Sequence, residues 1–231
     1  MFKHRSQEKE LLDADDIPAQ DLFQNLRELD FINHWLGGYD ISFSGLKKII
    51  KPGKTYVFAD IGCGGGDTLK RIKNWRTKRG YLIDLHGIDL KPVCVQYAKS
   101  SQEKEGINFI CDDYRNIYSH LNKIDIIHAC LFCHHLSESE LIDLIRFAVD
   151  HKAVLLINDL ERNPVAYYAI KILTRLFSKS YLVKNDAPLS VLRGFKKKEW
   201  LELLKKSGAE HFTVSNKWAF RHEVIVYGTS D

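Results

Sequence analysis

Apolar positions along the chain follow two rhythms. From Asp21 they recur every three or four residues, at Leu22, Phe23, Leu26, Leu29 and Ile32, which predicts an amphipathic helix ended by Gly37-Gly38. A second helix is expected over about Ile41–Ile50, closed by Lys51-Pro52-Gly53. Ahead of both, Ser6–Asp16 is acidic and reads as a frayed arm or a short helix. From Thr55 the rhythm changes to short apolar runs between helical stretches. Thr55–Ile61, Tyr81–Ile88, Ile107–Cys111, Ile124–Cys130 and Ala153–Ile157 read as strands. Asp67–Trp75, Pro92–Ser101 and Glu138–Asp150 read as helices, the last with Leu141, Leu144, Ile145 and Ala148 on one face. The alternation predicts an α/β fold, a doubly wound and mostly parallel sheet with helices on both faces. Further on, Pro164–Phe177 and Lys197–Ser207 read as helices and Lys184–Gly194 as a loop. Glu210–Trp218 and His222–Gly228 read as a hairpin that gives the sheet an antiparallel edge, with the last strand antiparallel.

Composition narrows the class of protein. At 231 residues the chain is long enough for one large domain, or one domain with an appendage. Hydrophobic residues make up 45% and charged residues 28%, close to the globular average, so disorder is not expected. No apolar run approaches the ~18 residues of a spanning helix. The charged start, Met1 to Asp16, does not resemble a secretory signal, so a cytoplasmic location and five reduced cysteines are expected. The net charge of +4 is too mild to demand a nucleic-acid partner. Charge is uneven, with nine acids and four basic residues over 1–40, and thirteen basic residues and seven acids over 161–231. That dipole can orient an anionic substrate, or it can be a solvated exterior.

The sharpest motif is Val57-Phe58-Ala59-Asp60-Ile61-Gly62-Cys63-Gly64-Gly65-Gly66-Asp67-Thr68, an apolar strand running through glycines into a helix. Glycines there let a ligand approach backbone N–H groups at the strand's carboxyl end. The dinucleotide pattern of glycine, one residue, glycine, two residues, glycine fails from either start, meeting Asp67 or Leu69 where the third glycine belongs. The phosphate-cradling pattern fails too, since no Lys-Ser or Lys-Thr follows. Asp60, just before the glycines, opposes a pyrophosphate but suits a ligand carrying an ammonium and a sulfonium, as S-adenosylmethionine does. Asp89 at the end of the second strand can accept both ribose hydroxyls, or cap the helix that begins at Pro92. A carboxylate in Phe109-Ile110-Cys111-Asp112-Asp113-Tyr114 can accept from the adenine amino group.

Taken together, these segments resemble class I S-adenosylmethionine-dependent methyltransferases, strongly over about 55–160 and moderately in the hairpin. Asp60-Ile61-Gly62-Cys63-Gly64-Gly65-Gly66 matches the family's acid and alternating glycines, Asp89 its ribose acid, and Phe109–Asp113 its adenine segment, where spacing favours Asp113 over Asp112. Asp125–Leu136 resembles its fourth strand and the histidine-containing loop behind it. The resemblance implies cofactor contacts from Asp60, Gly62, Cys63, Gly64, Gly66, Asp89, Leu90, Asp112, Asp113, Tyr114, Ala129 and Cys130. It also implies that residues 1–50, as an N-terminal helical cap, and a lid insert at about 160–195 shape the acceptor site on a 51–231 methyltransferase domain. Asn158–Arg162, the Tyr167-Tyr168 helix, Leu189–Phe195 and Asn33–Gly38 resemble bacterial small-molecule enzymes of polyketide and quinone pathways.

That points to a small aromatic acceptor, a polyketide or a phenol- or quinol-like molecule, methylated in line by a monomer or homodimer. His134 and His135 are the candidate bases, and Asp159 and Arg162 the candidates for orienting the acceptor. Cys130-Leu131-Phe132-Cys133-His134 fits a haem-attachment pattern, but that chemistry requires export. No second cysteine pair supports zinc, and no metal ligand set is expected. Two alternatives remain. One is an RNA methyltransferase using Lys70–Arg79, with six basic residues in ten around Trp75. The other is a non-catalytic S-adenosylmethionine-binding protein. Against the first, no Asn-Pro-Pro-Tyr-type tetrapeptide follows the fourth strand.

Overall fold

The computed structural model describes residues 2–14, 16–100 and 106–228. Two helices, α1 (Ala19–Trp35) and α2 (Gly38–Ile49), precede an alternation of strands and helices. That alternation runs β1 (Thr55–Ile61), α3 (Asp67–Arg79), β2 (Leu82–Asp89), α4 (Pro92–Lys99), β3 (Asn108–Cys111), α5 (Ile117–His120), β4 (Ile126–Cys130), α6 (Glu138–Asp150) and β5 (Val154–Leu160). Three helices, α7 (Pro164–Phe177), α8 (Tyr181–Arg193) and α9 (Lys197–Ser207), lead to β6 (Phe212–Lys217) and β7 (Arg221–Val226). The seven strands form one sheet in the order β3-β2-β1-β4-β5-β7-β6. Only β7 runs antiparallel to its neighbours, so the expected doubly wound sheet with an antiparallel last strand is what the chain forms. Among the described residues no helix is long and apolar enough to cross a membrane.

Alternation along each strand sorts side chains onto two cores. Ala59, Ile61, Ile127, Ala129, Leu155 and Ile157 face α6 and α9, through Leu141, Leu144, Ile145, Trp200 and Leu204. Phe58, Leu85, Ile126, Leu156 and Ile225 face α2, α3 and α4, through Leu46, Ile49, Leu69, Ile72 and Val95. Helix α2 lies close against β5: a Cβ on Gly45 would stand 2.3 Å from Leu156 Cδ1. Residues 38–49 therefore share the core of the sheet.

One segment differs from expectation, and another resolves between two readings. Lys184–Gly194, read as a loop, lies in α8, which ends at Arg193. Asn185-Asp186-Ala187-Pro188 carries turn chemistry, but Ser180 caps the helix by accepting from Val183 N–H, and Leu182, Val183, Leu189 and Val191 are buried. Tertiary packing overrides the local signal. Of the two readings of the acidic arm the short helix is the one that forms, as a 3-10 turn at Leu11–Asp13, and the rest of the arm is tied down. Arg5 donates to the carbonyls of Arg193, His134 and Leu136, Ser6 N–H to Leu192, and Leu11 and Leu12 N–H to the Asp186 carboxylate. Helix α4 ends at Lys99, and Ser101, its expected last residue, lies outside the described residues.

Candidate active site

The sheet order reverses between β1 and β4, and open α/β sheets bind ligands beyond the strand ends at that point. A cavity of about 560 Å³ lies there. The glycine loop forms its floor. Gly62, Gly64 and Gly66 have φ of +62°, +52° and +76°, a region that side-chain-bearing residues rarely occupy. A Cβ on Gly62 would stand 2.3 Å from Phe132, and one on Gly66 2.7 Å from Phe109. Asp89 holds the loop's shape. Its two carboxylate oxygens accept from Gly64 N–H at 2.8 Å and Lys91 N–H at 2.9 Å. Burial pushes its carboxyl above the usual range, and the two N–H groups pull it back.

Of the expected cofactor residues, Gly62, Cys63, Gly64, Asp89, Leu90, Asp112, Asp113, Tyr114 and Cys130 line this cavity. Asp112 accepts from Asp113 N–H, Asn116 Nδ2 and His120 Nε2, and the His120 contact leads in holding it at about 2. Asp113 is paired with Arg115. Burial leaves the Cys63 thiol well above its ordinary value and pushes Cys130 to about 12, so both pack as neutral thiols.

Asp60, Gly66 and Ala129 do not line the cavity. Asp60 lies buried beneath the loop, its Oδ1 2.6 Å from His128 Nδ1. His128 Nε2 meets Ser42 Oγ at 2.9 Å, and Asn158 Nδ2 donates to Ser42 Oγ and to Gly38 O. Arg221 reaches both Asn158 and Asn33. This buried polar row pins α1 and α2 to the carboxyl ends of the strands.

The wall opposite the glycine loop comes from the N-terminal helices. Asp30, Asn33 and Tyr39 line it. Tyr39 donates to Asp30 Oδ1 at 2.7 Å, and Arg71 pairs with Asp30 at 3.0 Å while stacking over the Tyr39 ring. Burial, together with Asp30, raises the Tyr39 phenol. Asn33 belongs to a segment whose resemblance was visible in the sequence. Asp30 and Tyr39 carry no spacing signal, because their contact depends on how α1 and α2 are docked.

A second cavity, about 260 Å³, adjoins the first and shares Leu12, Leu29, Asn33, Leu131 and His135 with it. Its remaining wall is mostly apolar: Ile32 from α1 and Leu36 just past its end, Ala166, Ala169, Ile170 and Leu173 from α7, Val183 and Val191 from α8, and Trp218–Phe220 from the hairpin turn. Of α7, Ala166, Ala169, Ile170 and Leu173 thus face a cavity, whereas Tyr167 and Tyr168, singled out in the sequence, line neither one. The outer face of α7, Val165, Tyr168, Ile172 and Leu176, is exposed, which explains a helix apolar nearly all round. Leu131, Ala219 and Phe220 have φ between +52° and +58°, strained values for such residues, and all three line this cavity.

The four candidate catalytic residues separate. His135 lies between the cavities, its Nδ1 3.0 Å from Asp13 Oδ1. His134 is buried, with Nδ1 2.7 Å from Asp159 Oδ1, and lines only the apolar cavity. Asp159 and Arg162 line neither cavity. Asp159 accepts His134 N–H, the His134 ring and Leu160 N–H; burial would raise its carboxyl, but His134 and these N–H groups hold it below the usual range. Arg162 is spent on the carbonyls of Phe2, Lys3 and Gly194 and on Glu199. Both anchor the loops around the site instead of facing an acceptor. Glu10 was not foreseen at all. It reaches the cavity wall from the arm, accepts from Ser190 Oγ at 2.9 Å, and burial raises its carboxyl to about 7.

The methyltransferase domain family model matches residues 58–151, which run from β1 to just past α6 and contain the glycine loop, Asp89 and the histidine loop. Residues 58–151 thus match a methyltransferase domain, and the sheet around them has the class I methyltransferase fold. A search of curated proteins returned no significant relative. Among solved structures, the plantazolicin methyltransferase BpumL in complex with SAH is 19% identical, with 90% of this chain and 93% of that chain covered and a TM-score of 0.64. A SAM dependent methyltransferase from Aquifex aeolicus is 18% identical, with coverage of 93% and 100% and a TM-score of 0.59. The CMeT domain of the citrinin polyketide synthase is 14% identical, with coverage of 80% and 50% and a TM-score of 0.55. At these identities the likeness is one of fold.

Proposed function

We propose that the larger cavity binds S-adenosylmethionine and that its methyl passes to a small, largely apolar acceptor of phenol or quinol type in the smaller one. The observation that carries this reading is the junction: the cavity over the glycine loop shares five wall residues with a smaller and more apolar one, and His135 is among the five. The glycine loop takes the methionyl part, Asp89 the ribose hydroxyls, and the Asp112–Tyr114 segment the adenine. Asp60 acts from below, through the loop it supports.

Transfer is an in-line displacement. The acceptor's nucleophilic atom bonds to the methyl carbon as the carbon–sulfur bond breaks, and the electron pair stays on sulfur in the neutral thioether product. Holding the two reactants in adjoining cavities can supply roughly 7–11 kcal/mol of the barrier. Ionising the acceptor adds about 10²–10⁴-fold, and the acceptor's ionisable atom is assigned to the polar end of its cavity, where His135, His134 and Glu10 stand.

The test is a methyl-transfer assay on a panel of phenols and quinols beside bulk RNA, at low and moderate salt. Turnover of a panel member, lost on replacing His135 with donor binding intact, is the expected result. Labelled RNA without labelled phenol would overturn the choice of acceptor. Absence of S-adenosylmethionine binding would overturn the reading as a whole.

A further inference from the structure

Three side chains from distant parts of the chain converge where the two cavities join. Glu10, His134 and His135 each place one ligand atom within 4.8 Å of the others. His134 Nε2 is 3.6 Å from Glu10 Oε1, and His135 Nε2 is 3.8 Å from Glu10 Oε2. The far nitrogen of each ring is already engaged. His134 Nδ1 is 2.7 Å from Asp159 Oδ1, and His135 Nδ1 is 3.0 Å from Asp13 Oδ1.

An imidazole that donates from Nδ1 to a carboxylate presents a lone pair at Nε2. Where both rings donate in this way, two lone pairs face the two oxygens of a buried carboxylate, an arrangement that a cation between them makes favourable. Gaps of 3.6 and 3.8 Å are too long for a proton shared in a hydrogen bond. They suit two ligands of one ion: bonds of about 2.0–2.2 Å at a tetrahedral centre set neighbouring ligand atoms about 3.4 Å apart. A carboxylate behind each ligating imidazole is also the usual support of a metal site, fixing tautomer and ring orientation. Three further carboxylates, Asp13, Asp159 and Asp186, surround the cluster, against the guanidiniums of Arg5 and Arg193. Arg193 comes within 3.7 Å of Glu10 Oε1, yet its nitrogens donate to the carbonyls of His134, His135 and Glu8, so it braces the loop that carries the histidines.

We propose that Glu10, His134 and His135 bind one divalent transition-metal ion, leaving an open position toward the cavities. Two imidazoles and one carboxylate favour zinc or iron(II) over magnesium, which prefers oxygen ligands. At the open position the ion takes the acceptor's oxygen and lowers the pKa of its O–H. That role, though not the site, rests on the methyl transfer proposed above. The site was hidden in the sequence because its carboxylate comes from the N-terminal arm.

Cobalt(II) tests the site in the full-length chain after treatment with a chelator. Titration should give one equivalent bound per chain with a visible d–d absorption band. His135→Ala should lose the band and weaken cobalt binding by 100-fold or more. Its side chain is 22% exposed, so the fold should tolerate the change. Glu10→Gln should act in the same direction, and Asp13→Asn should weaken binding roughly 10–100-fold. Far-UV circular dichroism and S-adenosylhomocysteine binding report whether each variant is folded. No stoichiometric cobalt binding, or binding unchanged in folded His135→Ala and Glu10→Gln variants, would overturn the proposal. Cobalt binding without turnover of any phenol would keep the site and remove only its role. Turnover without cobalt binding would overturn the site and its role together and leave the methyl transfer standing.

Discussion

The two cavities are neighbours built on different principles. The larger rests on backbone: three glycines at positive φ, a carboxylate that accepts N–H groups from two turns, and strand ends brought together by the sheet. The smaller rests on side chains from the arm, α1, α7, α8 and the hairpin turn, segments that meet only when the chain has folded. A backbone site depends on local geometry and tolerates little change. A side-chain site can be reshaped one residue at a time. On the function proposed above, the first half suits a constant donor and the second a variable acceptor.

Substitutions should separate the halves. The largest effect is expected from Gly64→Val. Its Cβ meets only Leu26 at 3.4 Å, so the fold has room for it, but φ of +52° is hostile to a β-branched residue and the new side chain stands at the cavity floor. Donor affinity should fall by about 2–3 kcal/mol, roughly a hundredfold, measured by calorimetry with S-adenosylhomocysteine. Asp89→Ala should cost about 1.5–3 kcal/mol of donor binding, the range for hydrogen bonds to a charged group. A dissociation constant that stays the same would leave Asp89 as a brace for Gly64 and Lys91 alone.

The acceptor half should respond in a different parameter. Ala166→Leu adds bulk to the apolar cavity, and overpacking of this kind costs about 1–3 kcal/mol. The acceptor's KM should rise roughly tenfold while donor affinity is unchanged. A matching loss of donor affinity would show that the two cavities do not act separately.

How much of this was legible follows the same division. The glycine loop, Asp89 and the strand–helix alternation are local patterns, and they stand in the structure where the sequence places them. Asp60 shows the limit of adjacency. It precedes the glycines in sequence, yet strand alternation turns its side chain under the sheet, to His128. Glu10 and Tyr39 escaped because their partners, His134 and Asp30, are set by docking of the N-terminal segments. Lys184–Gly194 read as a loop, whereas α8 runs through Pro188 and is held by burial of its apolar side chains.

A smaller effect concerns the wall that the N-terminal helices give the donor cavity. Burial would raise the Asp30 carboxyl, but Tyr39 and Arg71 hold it below the ordinary aspartate value. A carboxyl depressed by folding adds stability at pH above its unfolded value, and that stability is lost as pH falls through the folded one. Carbon-13 NMR should find Asp30 titrating below an exposed aspartate. Tyr39→Phe should bring it upward and make acid unfolding begin less steeply. An unchanged Asp30 titration would mean that Arg71 alone sets it.

The smallest effect is expected from the basic stretch Lys70–Arg79, the feature that favoured RNA. It forms most of α3, whose inner face is apolar: Leu69 and Ile72 are buried, and Trp75 packs against Phe43 and Tyr81 at centroid distances of 5.6 and 4.9 Å. A tryptophan engaged in this way is poorly placed to stack on a base. Arg71 is paired with Asp30. At a 1.5 Å rise per residue, Arg79 lies about 18 Å along the helix from Asp67, where the glycine loop ends, so phosphates held there would be remote from the methyl group. Replacing Lys73, Arg76 and Arg79 together with glutamine should leave donor binding and turnover of a small acceptor within about twofold, at low and at moderate salt. An RNA contact behaves otherwise, because each phosphate neutralised by a lysine or arginine releases a counterion and steepens the salt dependence. Methyl label that enters RNA in the parent chain and disappears in the triple variant would therefore move the acceptor from the apolar cavity to the outer face of α3.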